Sequence, residues 1–242
     1  MSYPADLYAL VHRGTPGDQA AYARRCRGAP RVLELGCGYG RMLAHLTGAL
    51  PGTALTGIER DPGLLARARR RLPPSVRLVE GDMRSFDLGL FERILIPYSG
   101  LWCLERDQDL DRCLARCAAS LAPGGHLLAD AYAADGFAGT PWGPQDEAPE
   151  LLLEVEGERR WAVYETTRWF PERSAFHVTY TYVPDDGGPP VEGVITHRYR
   201  TEPELRAHLA RAGFGRIETF EGFSEVPFRP PGEHLFVAAS LD

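Results

Sequence analysis

The sequence predicts an α/β protein in which a mostly parallel sheet carries helices on both faces and an antiparallel sheet is added before the last helix. Between residues 31 and 131, short apolar runs alternate with helical stretches, a pattern typical of parallel strands joined by crossover helices. After residue 132, runs with period-two alternation follow one another with turn signals between them, which indicates antiparallel strands.

The first half of the chain predicts five strands and three helices in alternation. The strands are expected near residues 31–35, 54–58, 76–80, 92–97 and 125–130, and the helices near residues 40–50, 62–71 and 107–121. Asp61 and Pro62 supply a cap and a first-turn proline for the second of these helices. The run Pro123, Gly124 and Gly125 is expected to stop the third helix and turn the chain into the fifth strand.

The second half predicts a separate sheet, one more helix and a closing hairpin. Residues 133–150, rich in Gly, Pro and acid, are expected to form an exposed loop that acts as a lid. Thr201 and Gly213 mark the start and end of the last helix. We therefore expect three parts: a helical cap over residues 1–30, a core of residues 31–132 with 201–242, and a substrate cover over residues 133–200.

Composition excludes several classes of function. The chain has 242 residues, a formal net charge of -6 and no lysine, so neither phosphate-rich nucleic acid nor a lysine Schiff base fits. No apolar run approaches the length of a membrane span, and the N-terminus lacks a cleavable leader pattern. The five cysteines show no paired spacing; Cys113 and Cys117 could share a metal, but core packing is favoured. We expect a cytoplasmic protein without a metal.

The stretch VLELGCGYGR, residues 32–41, is the strongest motif in the chain. Its glycines follow a predicted strand and precede a helix, so the backbone can approach a ligand closely and the helix N-terminus can face an anionic group. Two acids occupy the corresponding positions after the next two strands. Glu59 could accept both hydroxyls of a ribose, and Asp82, followed by Met83, could meet the amine and the face of a purine.

At these residues the sequence resembles the class I S-adenosylmethionine-dependent methyltransferases. The matching segments are ELGCGYGR (34–41), TGIERD (56–61), EGDM (80–83) and LAPGGHLL (121–128). The resemblance implies a Rossmann-like sheet of seven strands with an antiparallel last strand, and S-adenosylmethionine as the cofactor. It implies contacts from Gly36, Cys37 and Gly38 to the methionine part, from Glu59 to the ribose and from Asp82 to the adenine amine. The cofactor-binding residues expected from the motifs and the resemblance are Tyr8, Tyr22, Glu34, Gly36, Cys37, Gly38, Arg41, Glu59, Arg60, Asp82, Met83 and Pro97.

The N-terminal segment is loosely similar to that of sugar amine N,N-dimethyltransferases and glycine N-methyltransferase. This similarity implies that Tyr8 and Tyr22 close over the sulfonium, with His12 or Arg13 nearby. Ordinary helix packing of the two tyrosines is an equal alternative.

Candidates for catalysis come from the ends of the fourth and fifth strands. Tyr98 and Asp130 are catalytic candidates together with Tyr8, although Asp130 could equally be a loop cap. Ile96 stands before Pro97, where a polar residue would hold a planar amine, so methylation of nucleic-acid bases is disfavoured. Substrate contacts are expected from Trp102, Tyr132, His177 and Tyr199, with structural packing as the alternative for each.

The sequence thus predicts a methyltransferase that acts on nitrogen or oxygen of a small molecule, in a bacterial specialised pathway, as a monomer or homodimer. Two alternatives remain open at this point. An NAD(P)-dependent oxidoreductase would also use a glycine loop and Glu59, although the glycine spacing favours it less. A catalytically inert module could keep the cofactor and use the aromatic sheet to bind a partner.

Overall fold

A computed structural model describes residues 3–138, 149–156 and 160–242 of the chain. The first half contains α1 (Ala5–Val11), α2 (Asp18–Cys26), β1 (Arg31–Leu35), α3 (Arg41–Ala49), β2 (Ala54–Glu59), α4 (Pro62–Arg71), β3 (Arg77–Glu80), β4 (Phe91–Ile96), α5 (Asp107–Ala119) and β5 (Leu121–Tyr132). The second half contains β6 (Glu150–Glu156), β7 (Arg160–Phe170), β8 (Ala175–Pro184), β9 (Val191–Arg198), α6 (Glu202–Arg211), β10 (Arg216–Glu221) and β11 (His234–Ser240).

The main sheet has seven strands in the order β10-β11-β5-β4-β1-β2-β3. β1 pairs in parallel with both β2 and β4, whereas β11 is antiparallel to both β5 and β10. This confirms the predicted Rossmann-like sheet with an antiparallel last strand. Because β1 lies where the strand order reverses, its carboxyl end opens onto the crevice in which such folds bind ligands.

Both faces of the main sheet are buried. Val32 belongs to one apolar cluster, with Leu46 of α3 and Leu55 of β2, while Leu33 belongs to another, with Leu114 of α5. Neighbouring residues of a strand point to opposite faces, so β1 needs apolar side chains on both of them. Val32, Leu33 and Leu35 of β1 meet this requirement, and Glu34 is the one acid among its buried residues.

The second sheet has four antiparallel strands in the order β6-β7-β8-β9, which confirms the sheet predicted from alternation. Its apolar face packs against the N-terminal segment: Leu7 of α1 shares a cluster with Val163 of β7 and Tyr182 of β8. The inserted sheet and α1 are thus held together by a shared apolar cluster. Most of the predicted lid, residues 139–148, lies outside the described residues.

Pro123, Gly124 and Gly125 have a different role from the one predicted. α5 already ends at Ala119 and β5 begins at Leu121, so these residues lie within the strand. The pairing of β4 with β5 shifts register there, because Phe91 pairs with Leu121 while Arg93 pairs with His126. A proline cannot donate to the ladder and is tolerated at such an irregularity, so the run forms a bulge and not a preceding turn.

Two predicted helix starts have the expected caps. The Leu64 N–H donates to Oδ1 of Asp61 at 2.9 Å at the start of α4, with Pro62 as the first helical residue. Thr201 and Glu204 form a capping box at the start of α6. None of the helices in the described part of the chain is long and apolar enough to cross a membrane.

Candidate active site

A cavity of about 780 Å³ lies at the carboxyl ends of β1, β2, β3 and β4. Pockets for small molecules and cofactors are commonly several hundred Å³ in volume, so the cavity is large enough for a nucleoside-sized cofactor together with a substrate. Its floor is the turn after β1 and the ends of the neighbouring strands. Its opposite wall comes from the N-terminal segment and from residues 194–196 of β9.

The turn after β1 presents backbone to the cavity. Gly36 has φ of 68°, and a Cβ built on it would lie 3.2 Å from Cε of Met83, so this position favours glycine on two grounds. Cys37 donates its backbone N–H to the Ile58 carbonyl at 2.9 Å, and burial raises the pKa of its thiol. Cys37 therefore contributes main chain to the turn, and its thiol is a poor nucleophile.

Glu59, the last residue of β2, ties the turn to its neighbouring strand. One carboxylate oxygen accepts the Gly38 N–H at 2.8 Å, and the other accepts the N–H groups of Arg60 and Asp61 at 2.9 and 2.8 Å. Three backbone donors hold the side chain in one position at the cavity wall. This geometry suits an acid that receives ribose hydroxyls, because it leaves the carboxylate little freedom to lose on binding.

Glu34 is the buried acid beneath the turn. It is 3% exposed, lines the cavity, and its Oε2 has no hydrogen-bond partner among the described residues. Burial raises the pKa of Glu34 to about 8, against the opposing effect of the nearby Arg41 guanidinium. Arg41 is itself paired with Asp18, with 3.0 Å between Nη1 and Oδ1. A buried acid with one unpartnered oxygen in a ligand cavity fits a cationic group such as the ammonium end of an amino acid.

The carboxylate of Asp82 already accepts hydrogen bonds from Arg84. Arg84 donates to it from Nε at 2.9 Å and from Nη2 at 2.6 Å, and also from its backbone N–H at 2.8 Å. These bonds lower the pKa of Asp82. Arg84 is held in turn by Asp109 at 3.1 Å. A purine amine at Asp82 would share the carboxylate with a guanidinium, a partner that the sequence motif alone does not reveal.

The wall opposite the strand ends is aromatic. The Tyr8 ring lies 4.1 Å from the His12 ring between centroids, and Tyr180 meets His12 edge-on at 4.9 Å. The Tyr39 hydroxyl donates to the His12 carbonyl at 2.9 Å. Tyr3 completes the group, 5.3 Å from Tyr8. Sequence reasoning missed Tyr3 because it precedes α1 and belongs to no periodic pattern.

Tyr98 lies at the cavity mouth in an unusual backbone conformation. Both Tyr98 and Ser99 have φ of 57°, a region that residues other than glycine rarely adopt and that is concentrated at functional sites. The Tyr98 N–H donates to Oδ1 of Asp130 at 2.9 Å, which secures this turn. Tyr98 remains 37% exposed and lines the cavity, so its side chain is available to a ligand.

Asp130 and Tyr22 do not reach the cavity. Asp130 is 2% exposed and Tyr22 is completely buried. The Tyr22 hydroxyl donates to Oδ1 of Asp130 at 2.7 Å, and Nε2 of His234 lies 3.1 Å from the other oxygen. The predictions that Asp130 acts as a catalytic group and that Tyr22 covers the sulfonium disagree with this placement. Both residues belong to a buried network that supports the Tyr98 turn.

The predicted substrate residues also lie elsewhere. Trp102 is completely buried and donates from its indole nitrogen to the Tyr132 carbonyl at 3.2 Å. Tyr132 lines a second, apolar pocket of about 330 Å³, Tyr199 packs in the cluster beside it, and His177 is exposed. Alternation identifies two faces of a strand but not the face that meets a cavity. β9 supplies the cavity wall through Val194, Ile195 and Thr196 instead.

The remaining predicted cofactor residues share one location. The structure brings them together along the cavity; they are Tyr8, Glu34, Gly36, Cys37, Gly38, Arg41, Glu59, Arg60, Asp82, Met83 and Pro97. A glycine turn at the switch point of a Rossmann-like sheet, with an acid at the next strand end, defines the class of proteins that bind an adenosyl cofactor there.

A family model described as a methyltransferase domain matches residues 32–125. A trans-aconitate 2-methyltransferase of Methylobacterium nodulans is 39% identical over 123 residues, which cover 51% of this chain and 41% of that protein. Among the first three curated relatives, the aligned part covers 31% to 61% of the relative's length, less than two thirds in each case.

Solved structures match over nearly the whole chain. The CcbJ methyltransferase of Streptomyces caelestis matches with a TM-score of 0.78 at 22% identity, and the match covers 98% of this chain and 97% of the CcbJ chain. The S-adenosylmethionine-bound amino pentose methyltransferase CalS10 of Micromonospora echinaspora has a TM-score of 0.72 at 27% identity and covers 99% and 98%. Residues 32–125 therefore carry a domain of the class I S-adenosylmethionine-dependent methyltransferase type, and the solved structures extend the same fold over nearly all of the chain.

Proposed function

We propose that this protein transfers a methyl group from S-adenosylmethionine to nitrogen or oxygen of a small molecule in bacterial specialised metabolism. The observation that carries the proposal is a cavity in which the glycine turn, Glu34 and Glu59 face an aromatic wall. The cofactor, when bound, supplies an electrophilic methyl group on a sulfonium. The cytoplasmic setting and the monomeric or homodimeric state expected from the sequence stay part of this proposal.

The strand-end side of the cavity would hold the cofactor. Gly36 and Gly38 would let the backbone approach the amino-acid end, Glu34 would receive its ammonium group, and Glu59 would receive the ribose hydroxyls. Asp82 and Met83 would meet the purine. The unpartnered oxygen of Glu34 supports this orientation, because a buried carboxylate is stabilised strongly by a cationic partner.

The aromatic side would receive the methyl acceptor. Methyl transfer mainly requires alignment of a nucleophile and exclusion of water, and the wall of rings around His12 can do both. Six acidic side chains and four arginines are among the described residues that line the cavity, so this lining carries no excess of positive charge that would favour an anionic acceptor. The likeness to an amino pentose methyltransferase points in the same direction.

A labelled methyl-transfer screen tests the proposal. The purified protein would be incubated with S-adenosylmethionine carrying a deuterated methyl group and a panel of small amines, phenols and carboxylic acids. We expect one acceptor class to gain a single labelled methyl group by mass spectrometry. Cofactor binding without transfer to any acceptor would favour an inert binding module instead.

Binding measurements distinguish S-adenosylmethionine from NAD(P) as the cofactor. S-adenosylhomocysteine should bind and NADH should not; tight NADH binding alone would overturn the proposal. Glu59→Gln should weaken S-adenosylhomocysteine by about tenfold or more, because a charged acceptor is replaced by a neutral one. Glu80→Gln is the matched control, since Glu80 pairs with Glu59 in the sheet register but is exposed and lies outside the cavity lining.

A further inference from the structure

A chain of three side chains links the inserted sheet to the cavity. Tyr182 of β8 donates its hydroxyl hydrogen to the Leu7 carbonyl in α1 at 3.0 Å. The hydroxyl of Tyr3 lies 2.6 Å from that of Tyr182. Nε2 of His12 lies 3.2 Å from the Tyr3 hydroxyl. The chain therefore begins at a main-chain acceptor and ends on an imidazole that lines the cavity.

The fixed carbonyl at one end sets the direction of every hydrogen bond. A tyrosine hydroxyl has one hydrogen to donate. The Tyr182 hydroxyl donates its one hydrogen to the Leu7 carbonyl. In the short contact between the two hydroxyls, Tyr3 is therefore the donor and the Tyr182 oxygen is the acceptor. Tyr3 then has no hydrogen left for His12 and accepts from Nε2. His12 therefore carries its hydrogen on Nε2, and the lone pair of the neutral imidazole is on Nδ1.

We propose that His12 uses Nδ1 as the hydrogen-bond acceptor for the N–H of an amine substrate and so orients the amine lone pair toward the methyl group. The proposal rests on the proposed methyltransferase function and names its substrate class. Tyr3 and Tyr182 act through His12 and are positioning residues. Among residues 3–138, 149–156 and 160–242, no hydrogen-bond partner occupies Nδ1.

The surroundings hold the imidazole in place and keep it neutral. Tyr8 and Tyr180 contact the ring from two sides, at 4.1 and 4.9 Å between centroids, and Tyr98 lies 6.3 Å away. Burial lowers the pKa of His12 to about 3, with a smaller contribution from His197. Burial also raises the pKa of Tyr3, Tyr8, Tyr98 and Tyr180. The ring thus faces uncharged phenols, and its acceptor is available at neutral pH.

A bare acceptor nitrogen discriminates between methyl acceptors. A neutral amine can donate an N–H to Nδ1 and keep its lone pair for the reaction. A carboxylate has no hydrogen to donate and would place oxygen lone pairs against that of Nδ1. The chain therefore differs in expected substrate from a relative named for a carboxylic acid, the trans-aconitate 2-methyltransferase of Methylobacterium nodulans.

The hydrogen bond requires no proton transfer to His12. In the reaction it serves, the amine lone pair forms the new N–C bond, and the sulfonium S–C bond breaks with its electron pair left on sulfur. The product keeps all the N–H hydrogens of the amine, takes up the positive charge with the methyl group, leaves as an ammonium ion and releases one proton in water. An imidazole of low basicity is sufficient for this role, because it accepts a hydrogen bond without becoming charged.

Nitrogen-15 NMR of histidine-labelled protein tests the tautomer without any substrate. Signals of His12, assigned by their loss in His12→Gln, should show a protonated Nε2 and an unprotonated Nδ1 at neutral pH. Tyr3→Phe removes the acceptor, so the two tautomers should then interconvert and the two nitrogens should shift toward each other. A protonated Nδ1 or an imidazolium in the unaltered protein would overturn the proposal.

Kinetics test the role toward substrate. Methyl transfer to glucosamine, glucuronate and the acceptors found in the labelled screen would be compared in the unaltered protein and in its variants. We expect methylation at nitrogen. His12→Phe should lower kcat by about tenfold or more, while His12→Gln, whose amide can both donate to Tyr3 and accept from the amine, should recover part of it.

The two experiments distinguish the failure of this proposal from the failure of the proposed function. Methylation confined to carboxylates, or equal kcat in His12→Phe and His12→Gln, would overturn the role of His12 and leave the methyltransferase intact. Absence of methyl transfer to every acceptor would count against the methyltransferase. The NMR result would then still decide the tautomer.

Discussion

The Tyr22 hydroxyl donates a 2.7 Å hydrogen bond to Oδ1 of Asp130 in the core of the protein. The same oxygen accepts the Tyr98 N–H at 2.9 Å, so a tyrosine of α2 and the turn after β4 share one acceptor at the end of β5. This bond connects the N-terminal helices to the cavity mouth through a buried side chain. Asp130 stabilises the strained turn that carries Tyr98 without touching the ligand space.

Loss of that bond should reduce stability. Tyr22→Phe removes a buried donor to a carboxylate, so we expect the free energy of unfolding to fall by about 1 to 3 kcal/mol. Urea denaturation followed by fluorescence measures the change. Tyr164→Phe on the inserted sheet is a control at a partly exposed tyrosine. An unchanged midpoint for Tyr22→Phe would show that the hydrogen bond contributes nothing net.

A support role for Asp130 also predicts the behaviour of its own variants. Asp130→Asn keeps an oxygen that can accept from Tyr22 and from the Tyr98 N–H, so methyl transfer should persist at a reduced stability. Asp130→Ala leaves both donors unsatisfied in the core and should destabilise the protein by several kcal/mol. Complete loss of kcat in a folded Asp130→Asn protein would restore Asp130 as a catalytic group.

Glu34 should make stability depend on pH in the direction opposite to an ordinary ion-paired acid. Its pKa is raised from 4.5 to about 8 in the folded protein, so between these values the folded state keeps a proton that the unfolded state has released. The contribution of Glu34 to the free energy of unfolding is therefore fully present below pH 4.5 and is lost as the pH rises toward about 8. Chemical denaturation of the unaltered protein and of Glu34→Gln across this range should show the difference.

Ligand binding should reverse that loss. A cationic ammonium beside Glu34 favours the ionised carboxylate, so the stabilisation by S-adenosylhomocysteine should increase as the pH rises from about 6 to 8. The increase should be smaller in Glu34→Gln, which cannot ionise. An equal pH dependence in both proteins would place the ammonium group elsewhere in the cavity.

The cofactor side of the site could be predicted from the sequence, and the substrate side could not. Gly36, Glu59 and Asp82 each lie at a strand end, and parallel strands bring their carboxyl ends to one edge, so local motifs suffice to place them together. Tyr3 and Tyr182 are separated by 179 residues and meet only because the inserted sheet packs on α1. No local pattern encodes that contact.

The errors in the prediction have a similar cause. Tyr22 was assigned to the cofactor from the similarity of the N-terminal segment to that of sugar amine methyltransferases, with helix packing as the alternative, and its side chain lies on the face that packs against the main sheet, next to Phe236. His177 was assigned from alternation on β8, and its face of the strand is the exposed one. Periodicity determines which residues share a face, whereas the neighbour of that face is a tertiary property.

Gly36 should be required for cofactor binding beyond its effect on the backbone. Gly36→Ala forces an L residue to adopt φ of 68° and places a methyl group 3.2 Å from Cε of Met83, at the cavity wall. We expect weaker S-adenosylhomocysteine binding, by about tenfold, together with a stability loss of about 1 to 2 kcal/mol. Isothermal titration calorimetry and urea denaturation measure the two effects separately.

Gly28 provides the matched control. It has φ of 77°, and a Cβ built on it would meet nothing within 4 Å; it also lies outside the cavity lining. Gly28→Ala should therefore lose a similar amount of stability and leave S-adenosylhomocysteine binding unchanged. Equal binding losses in the two variants would attribute the effect of Gly36→Ala to general destabilisation.

His12 should make the protein less stable in mild acid. Its pKa is lowered from 6.5 to about 3 in the folded protein, so below the upper value the unfolded chain binds a proton that the folded protein does not. The contribution of His12 to the free energy of unfolding is fully present above pH 6.5 and is lost as the pH falls toward about 3. The loss is up to about 1.4 kcal/mol per pH unit. The difference in unfolding free energy between the unaltered protein and His12→Gln, followed from neutral pH into mild acid, isolates this contribution from the carboxylates. A difference that stays constant over that range would mean that His12 ionises in the folded protein as it does in the unfolded chain, and that its imidazole is not kept neutral by burial.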